Sequence, residues 1–81
     1  MVELYISSTC WFCIKVVRAA EQMGLEEGRD YRLVDAVRGT PGRQKVVDTG
    51  GRSMVPFLID GSVSMYESDD IIDYLRGKAG T

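Results

Sequence analysis

Residues 2–7 alternate apolar and other side chains, with Val2, Leu4 and Ile6 set against Glu3 and Tyr5. That is the period of a strand. From residue 11 the period changes. Cys13, Val16, Val17, Ala20 and Met23 recur at helical spacing, and Lys15, Arg18, Glu21 and Gln22 take the other face. Residues 30–35 then return to strand character, with Tyr31, Leu33 and Val34. A strand–helix–strand succession of this kind crosses over with a right hand and makes its two strands parallel. This pattern constrains the chain more than any other, because it requires an α/β sheet with a helix packed on one face.

The remaining residues extend the sheet. Ser8 or Thr9 is placed to cap the first helix, and Gly24 follows it as a C′ residue. Gly39, Thr40, Pro41 and Gly42 make a turn, with Pro41 suited to the first position of a helix. Residues 44–48 are expected to form a short second helix, ended by Gly50 and Gly51. Residues 56–60 form a third, apolar strand. Asp60-Gly61 is a two-residue hairpin signal, so residues 62–66 return antiparallel. Ser68 caps a last helix, with Asp69 and Asp70 in its first turn and Ile71, Ile72, Tyr74 and Leu75 supplying apolar side chains. Gly77 is expected to end that helix, leaving residues 78–81 as a frayed tail. The expected order is β-α-β-α-β-β-α, a four-stranded mixed sheet flanked by helices, in one domain spanning residues 1–81.

Composition narrows the chemistry. The 81 residues contain no histidine, which removes histidine bases, triads and metal ligands, and no metal site is expected. The net charge of −2 comes without a basic stripe, which argues against nucleic acid. No run approaches the ~20 apolar residues of a membrane span, and the first residues lack the charged-then-apolar layout of a signal peptide. The expectation is a cytoplasmic, monomeric domain.

Cys10 and Cys13 are the only cysteines. They stand at the junction of the first strand and first helix. Residues i and i+3 of a helix share a face, so the second sulfur lies against the first. The first turn of a helix has unpaired N–H groups and the positive end of the dipole. A thiolate at Cys10 is favoured there, which makes Cys10 the nucleophile and Cys13 the thiol that resolves a mixed disulfide. One disulfide across so tight a loop adds little stability, so the pair reads as redox chemistry and not as a staple. Structural zinc needs four ligands, and the chain supplies two.

A Cys-x-x-Cys at the start of the helix of a βαβ unit resembles a thioredoxin-like redox site. With Val55-Pro56 ahead of the third strand and Tyr66-Glu67-Ser68-Asp69-Asp70 ahead of the last helix, the chain resembles a glutaredoxin from Val2 to about Arg76. Glu67-Ser68, followed by Ile72, Tyr74 and Leu75, is also similar to the glutathione-binding N-terminal half of glutathione transferases. The resemblance implies a thioredoxin-like, glutaredoxin-type fold. It implies a thiol–disulfide oxidoreductase that takes glutathione as co-substrate, holds no bound organic cofactor and reduces disulfide-containing proteins or glutathione mixed disulfides. It implies that Cys10 attacks and Cys13 resolves, and that Phe12 lines the glutathione groove. Pro56 is then a cis proline whose neighbour Val55 offers backbone groups to the cysteinyl part of glutathione. Ser68 and Asp69 receive the γ-glutamyl end.

Two departures stand out. Trp11 occupies the position where glutaredoxins often have proline and sets a large aromatic at the rim. No lysine precedes Cys10, where Ser7, Ser8 and Thr9 stand instead; Arg43, Gln44 or Arg52 is then the candidate for the glycine carboxylate of glutathione. Three rival readings remain at this point. The first is a redoxin recharged by thioredoxin reductase, the second an iron–sulfur carrier, and the third a glutathione-binding module without turnover.

Overall fold

A computed structural model describes residues 1–79 of the chain. They form β1 (Val2–Ile6), α1 (Trp11–Gln22), β2 (Tyr31–Asp35), α2 (Pro41–Gly50), β3 (Phe57–Asp60), β4 (Val63–Met65) and α3 (Ser68–Ala79). The sheet order is β2-β1-β3-β4. β1 pairs parallel with β2, bringing Leu4 beside Leu33, and antiparallel with β3, bringing Leu4 beside Leu58. β4 closes the hairpin against β3. This is the expected β-α-β-α-β-β-α order with a mixed four-stranded sheet. Among the described residues no helix is long and apolar enough to cross a membrane.

The sheet has a packed core on each face. On one side α1 and α3 bury Val16, Ala20, Ile71, Ile72 and Leu75 against Val2, Leu4, Tyr31 and Leu58. On the other side α2 brings Val46 onto Tyr5, Ala36 and Phe57. The strand alternation set Tyr5 with the polar side of β1. β1 is a central strand, however, and α2 covers its second face, so Tyr5 is buried. Its hydroxyl donates to the Glu3 carboxylate at 3.0 Å, and Arg32 on β2 pairs with Glu3 in turn. Burial first, then the Glu3 carboxylate, pushes the Tyr5 phenol up to about 12.

Three element ends differ from the sequence expectation. α1 is capped by Cys10 itself and not by Ser8 or Thr9. α2 runs the full length from Pro41 to Gly50, capped by the Thr40 hydroxyl, which accepts the Arg43 N–H at 3.2 Å. Gly51, at φ 88°, ends it in the left-handed region that glycine adopts without cost. Gly77 does not stop α3, which continues to Ala79. There Lys78 pairs with Asp60 at 2.7 Å and Tyr74 donates to the same carboxylate at 2.6 Å. These contacts tie the end of the helix to the β3–β4 hairpin. The expected frayed tail therefore fails for residues 78 and 79; residues 80 and 81 lie outside the described residues.

Candidate active site

β1 ends at Ile6, and the chain turns so that the Cys10 amide donates to the Ser7 carbonyl at 3.1 Å. Cys10 stays extended (φ −91°, ψ 116°) and its sulfur accepts the Cys13 N–H at 3.2 Å. That is the geometry of a side-chain N-cap, with sulfur in the place usually taken by a serine or aspartate oxygen. The cap puts the sulfur against an otherwise unpaired amide at the positive end of α1, where negative charge is best accommodated. The same sulfur lies 3.9 Å from the Val55 carbonyl, to which the thiol donates.

Cys13 sits one turn further in and is 1% exposed. Burial pushes its thiol up to about 12, and its contact with Cys10 adds to the effect; the Ser7 backbone and the Arg43 charge oppose it. Both cysteines are free thiols. The pair is thus divided. One sulfur is capped and partly open to solvent, while the other is enclosed and held as a neutral thiol.

The Val55–Pro56 peptide bond is cis. Val55 and Pro56 form one wall of a groove of about 260 Å³ that Phe12, Met54, Glu67 and Ser68 complete. Phe12 stands at its edge, 57% exposed. Glu67 occupies the left-handed region at φ 69°, the only described residue other than glycine to do so. A long side chain held there is an uncommon conformation and marks a constrained turn. The turn delivers Ser68, which is buried, to the first turn of α3 beside the groove.

Six of the expected site residues therefore meet: Phe12, Val55, Pro56 and Ser68 line the groove, the Cys10 sulfur stands beside the Val55 carbonyl, and Cys13 lies behind Cys10. Three do not line it. Trp11, 69% exposed, turns to a separate and larger groove of about 630 Å³ between α1 and α3. Asp69 faces that same groove, where its carboxylate is paired with Lys15 at 2.6 Å. Arg43 is committed to backbone. Its guanidinium donates to the Ala36 carbonyl at 2.7 Å and to the Ser53 carbonyl and hydroxyl at 3.2 and 3.1 Å. It supports the loop before Val55 instead of reaching for a ligand. Of the two other candidates for a carboxylate contact, Gln44 is bonded to Asp48 along α2 at 2.8 Å. Arg52 lies over the Tyr66 ring at 4.7 Å. Sequence reasoning did not assign Glu67 or Met54 to the site. Glu67 was legible as the residue before Ser68, but its positive φ has no sequence signature.

The profile of the glutathione S-transferase N-terminal domain matches residues 4–81. Among solved structures the chain is similar to the trimeric glutathione transferase TDR1 of Leishmania, with 32% identity and a TM-score of 0.73 over 91% of this chain and 16% of that one. It is similar to glutathione S-transferase I of maize, solved with an atrazine glutathione conjugate. There the identity is 25% and the TM-score 0.75, over 95% of this chain and 35% of that one. Human glutathione S-transferase T1-1 shares the fold, at 22% identity and a TM-score of 0.80, over 100% of this chain and 33% of that one. The chain thus spans about a third or less of these proteins. No curated protein sequence matches it.

Proposed function

The chain belongs to the glutathione S-transferase N-terminal domain family, with its thioredoxin-like fold, and from that premise we propose that it is a glutathione-dependent thiol–disulfide oxidoreductase acting through Cys10. The observation that carries this reading is the placement of one sulfur. Cys10 Sγ is capped by the Cys13 amide and stands 3.9 Å from the carbonyl of Val55, a residue of the groove that Phe12, Pro56, Glu67 and Ser68 also line.

In the proposed reaction the Cys10 thiolate attacks a sulfur of a glutathione mixed disulfide. A new Cys10–glutathione disulfide forms, and the substrate leaves as its thiolate, which takes a proton from solvent. A second glutathione thiolate then attacks the glutathione sulfur. Glutathione disulfide departs and the Cys10 thiolate is restored. Backbone groups of Val55 fit the cysteinyl part of glutathione, and the α3 start at Ser68 offers N–H groups to a carboxylate. Cys13 supplies the second route: the Cys10 thiolate attacks a protein disulfide, the Cys13 thiolate displaces the protein thiol from Cys10, and two glutathione molecules reduce the resulting Cys10–Cys13 disulfide, leaving as glutathione disulfide. That route must first ionise an enclosed thiol, so the glutathione route is the faster one. The reading includes a monomeric protein acting on protein partners as well as glutathione.

The family also contains transferases, and a cysteine beside the Val55 carbonyl is compatible with conjugation of glutathione. One experiment separates the readings. The wild type, Cys10→Ser and Cys13→Ser are assayed on a small glutathione mixed disulfide, with glutathione, glutathione reductase and NADPH in one arm and thioredoxin reductase and NADPH in the other. Turnover in the first arm that is lost in Cys10→Ser and kept in Cys13→Ser is expected. Turnover only with thioredoxin reductase, or none beside measurable conjugation of an electrophile, overturns the proposal.

A further inference from the structure

Tyr66 joins the two walls of the groove without lining it. Its hydroxyl donates to the Arg52 carbonyl at 2.7 Å, with the Val46 carbonyl further off at 3.4 Å, and accepts the Arg52 N–H at 3.0 Å. Its ring packs against Phe57 at 4.5 Å between centroids, tilted by 43°, and the Arg52 guanidinium covers the ring at 4.7 Å. Gly50 leaves the space this needs, since a Cβ there would stand 2.3 Å from the Tyr66 hydroxyl oxygen. Tyr66 directly precedes Glu67, whose φ of 69° starts the Glu67–Ser68 wall. Arg52 directly precedes the segment that Arg43 grips at Ser53 and that ends in Val55 and Pro56, the facing wall.

We infer that Tyr66 is a positioning residue for glutathione: it fixes the separation of the Val55–Pro56 wall from the Glu67–Ser68 wall. This deepens the glutathione reading given above and rests on it. Val55, Pro56 and Glu67 are irregular backbone outside the ladder of the sheet and Ser68 only begins α3, so neither wall holds its position by strand pairing. A ligand that bridges them is bound well only if they are pre-set, because ordering a loop on binding weakens affinity. The hydrogen bond that the Tyr66 hydroxyl donates to the Arg52 carbonyl and the one it accepts from the Arg52 N–H do that setting. Tyr66 touches no reacting atom, so its loss lowers glutathione affinity and leaves the intrinsic reactivity of Cys10 in place.

The test compares the wild type with Tyr66→Phe, which keeps the ring and drops the hydroxyl, and with Gly50→Ala, which displaces the hydroxyl from below. Tyr74→Phe is the control. It removes a tyrosine hydrogen bond of similar length, to Asp60, on the far end of α3. Titration calorimetry with S-methylglutathione reads affinity, alkylation of Cys10 by iodoacetamide reads reactivity, and amide hydrogen exchange reads the order of residues 53–55 and 67–68. The inference expects Tyr66→Phe and Gly50→Ala to bind at least about fivefold more weakly, the loss of one ordinary hydrogen bond. It also expects unchanged alkylation, faster exchange at both walls, and a Tyr74→Phe variant that binds like the wild type. Wall exchange unchanged in Tyr66→Phe overturns it, as does an equal loss of affinity in Tyr74→Phe. A wild type that fails to bind S-methylglutathione refutes the glutathione reading, and the exchange data then still decide whether Tyr66 holds the walls.

Discussion

The Lys15 ammonium on α1 holds the Asp69 carboxylate on α3 at 2.6 Å, and both side chains are open to solvent. This pair turns Asp69 toward the α1–α3 groove and away from the Phe12–Pro56 groove. Asp69→Asn is therefore expected to change the KM for glutathione by less than about twofold and stability by about 0.2–1 kcal/mol, the range of an exposed ion pair. Ser68→Val, placed on the groove itself, is expected to raise KM severalfold with stability measured alongside by urea unfolding. A larger KM effect from Asp69→Asn than from Ser68→Val would return Asp69 to the ligand site.

Cys13 is enclosed and its thiol is pushed up to about 12. At pH 8 iodoacetamide should add once to the folded protein, at Cys10, and twice after unfolding; peptide mapping by mass spectrometry reads the sites. Modification of Cys13 at a comparable rate in folded protein would contradict the burial of its sulfur.

The same group gives an alkaline limit to stability. A pKa raised on folding means that the folded state holds its proton longer than the unfolded chain. Stability is then full below the unfolded value near 9 and falls as pH rises toward about 12, at about 1.4 kcal/mol per pH unit for each such proton. Tyr5, also pushed up to about 12 from 10, adds to the upper part of that window. Urea midpoints between pH 8 and 11 should fall in the wild type and fall less steeply in Cys13→Ala. Parallel curves would remove Cys13 as the cause.

On the acid side the responsible group is Asp60. Hydrogen bonds from Lys78 and Tyr74 hold its carboxyl below the usual range. A depressed carboxylate stabilises the fold above its unfolded value, near 3.8, and that contribution disappears as pH falls through the lower folded value. Asp60→Asn should flatten the stability profile below pH 4, with little change in glutathione turnover, since none of Asp60, Tyr74 and Lys78 lines the groove. An unchanged acid limb would show that other carboxylates dominate.

Gly42 is buried in the first turn of α2, where a Cβ would stand 2.0 Å from the Asp35 carbonyl oxygen. Gly42→Ala should destabilise by about 1–3 kcal/mol through overpacking, even though alanine is the better helix former. A gain in stability on chemical denaturation would mean that the β2–α2 junction yields freely.

The β-α-β-α-β-β-α order was legible because each element carries its own period and most ends carry glycine, proline or a hydroxyl. The end of α3 was misread at Gly77 because the Asp60–Tyr74–Lys78 contacts, which carry the helix past it, join residues far apart in sequence. Tyr5 was misread because alternation cannot report that a second helix covers the other face of a central strand. Within the site, the Cys10/Cys13 pair and the Pro56 and Ser68 motifs sit on short local signals. The roles of Arg43 and Asp69 depend on which partner a long side chain finds first, and both found protein groups. Glu67 shows the opposite limit: its position was visible and its backbone conformation was not.

The central claim is that Cys10 is the sulfur that carries glutathione. Cys13→Ser, incubated with glutathione disulfide and quenched with acid, tests it by mass spectrometry of the proteolysed chain. The account predicts a rapid single glutathione adduct on the peptide containing Cys10, released by added glutathione. Absence of an adduct from folded Cys13→Ser protein, or equal adduct formation at Cys13 in Cys10→Ser, would contradict it.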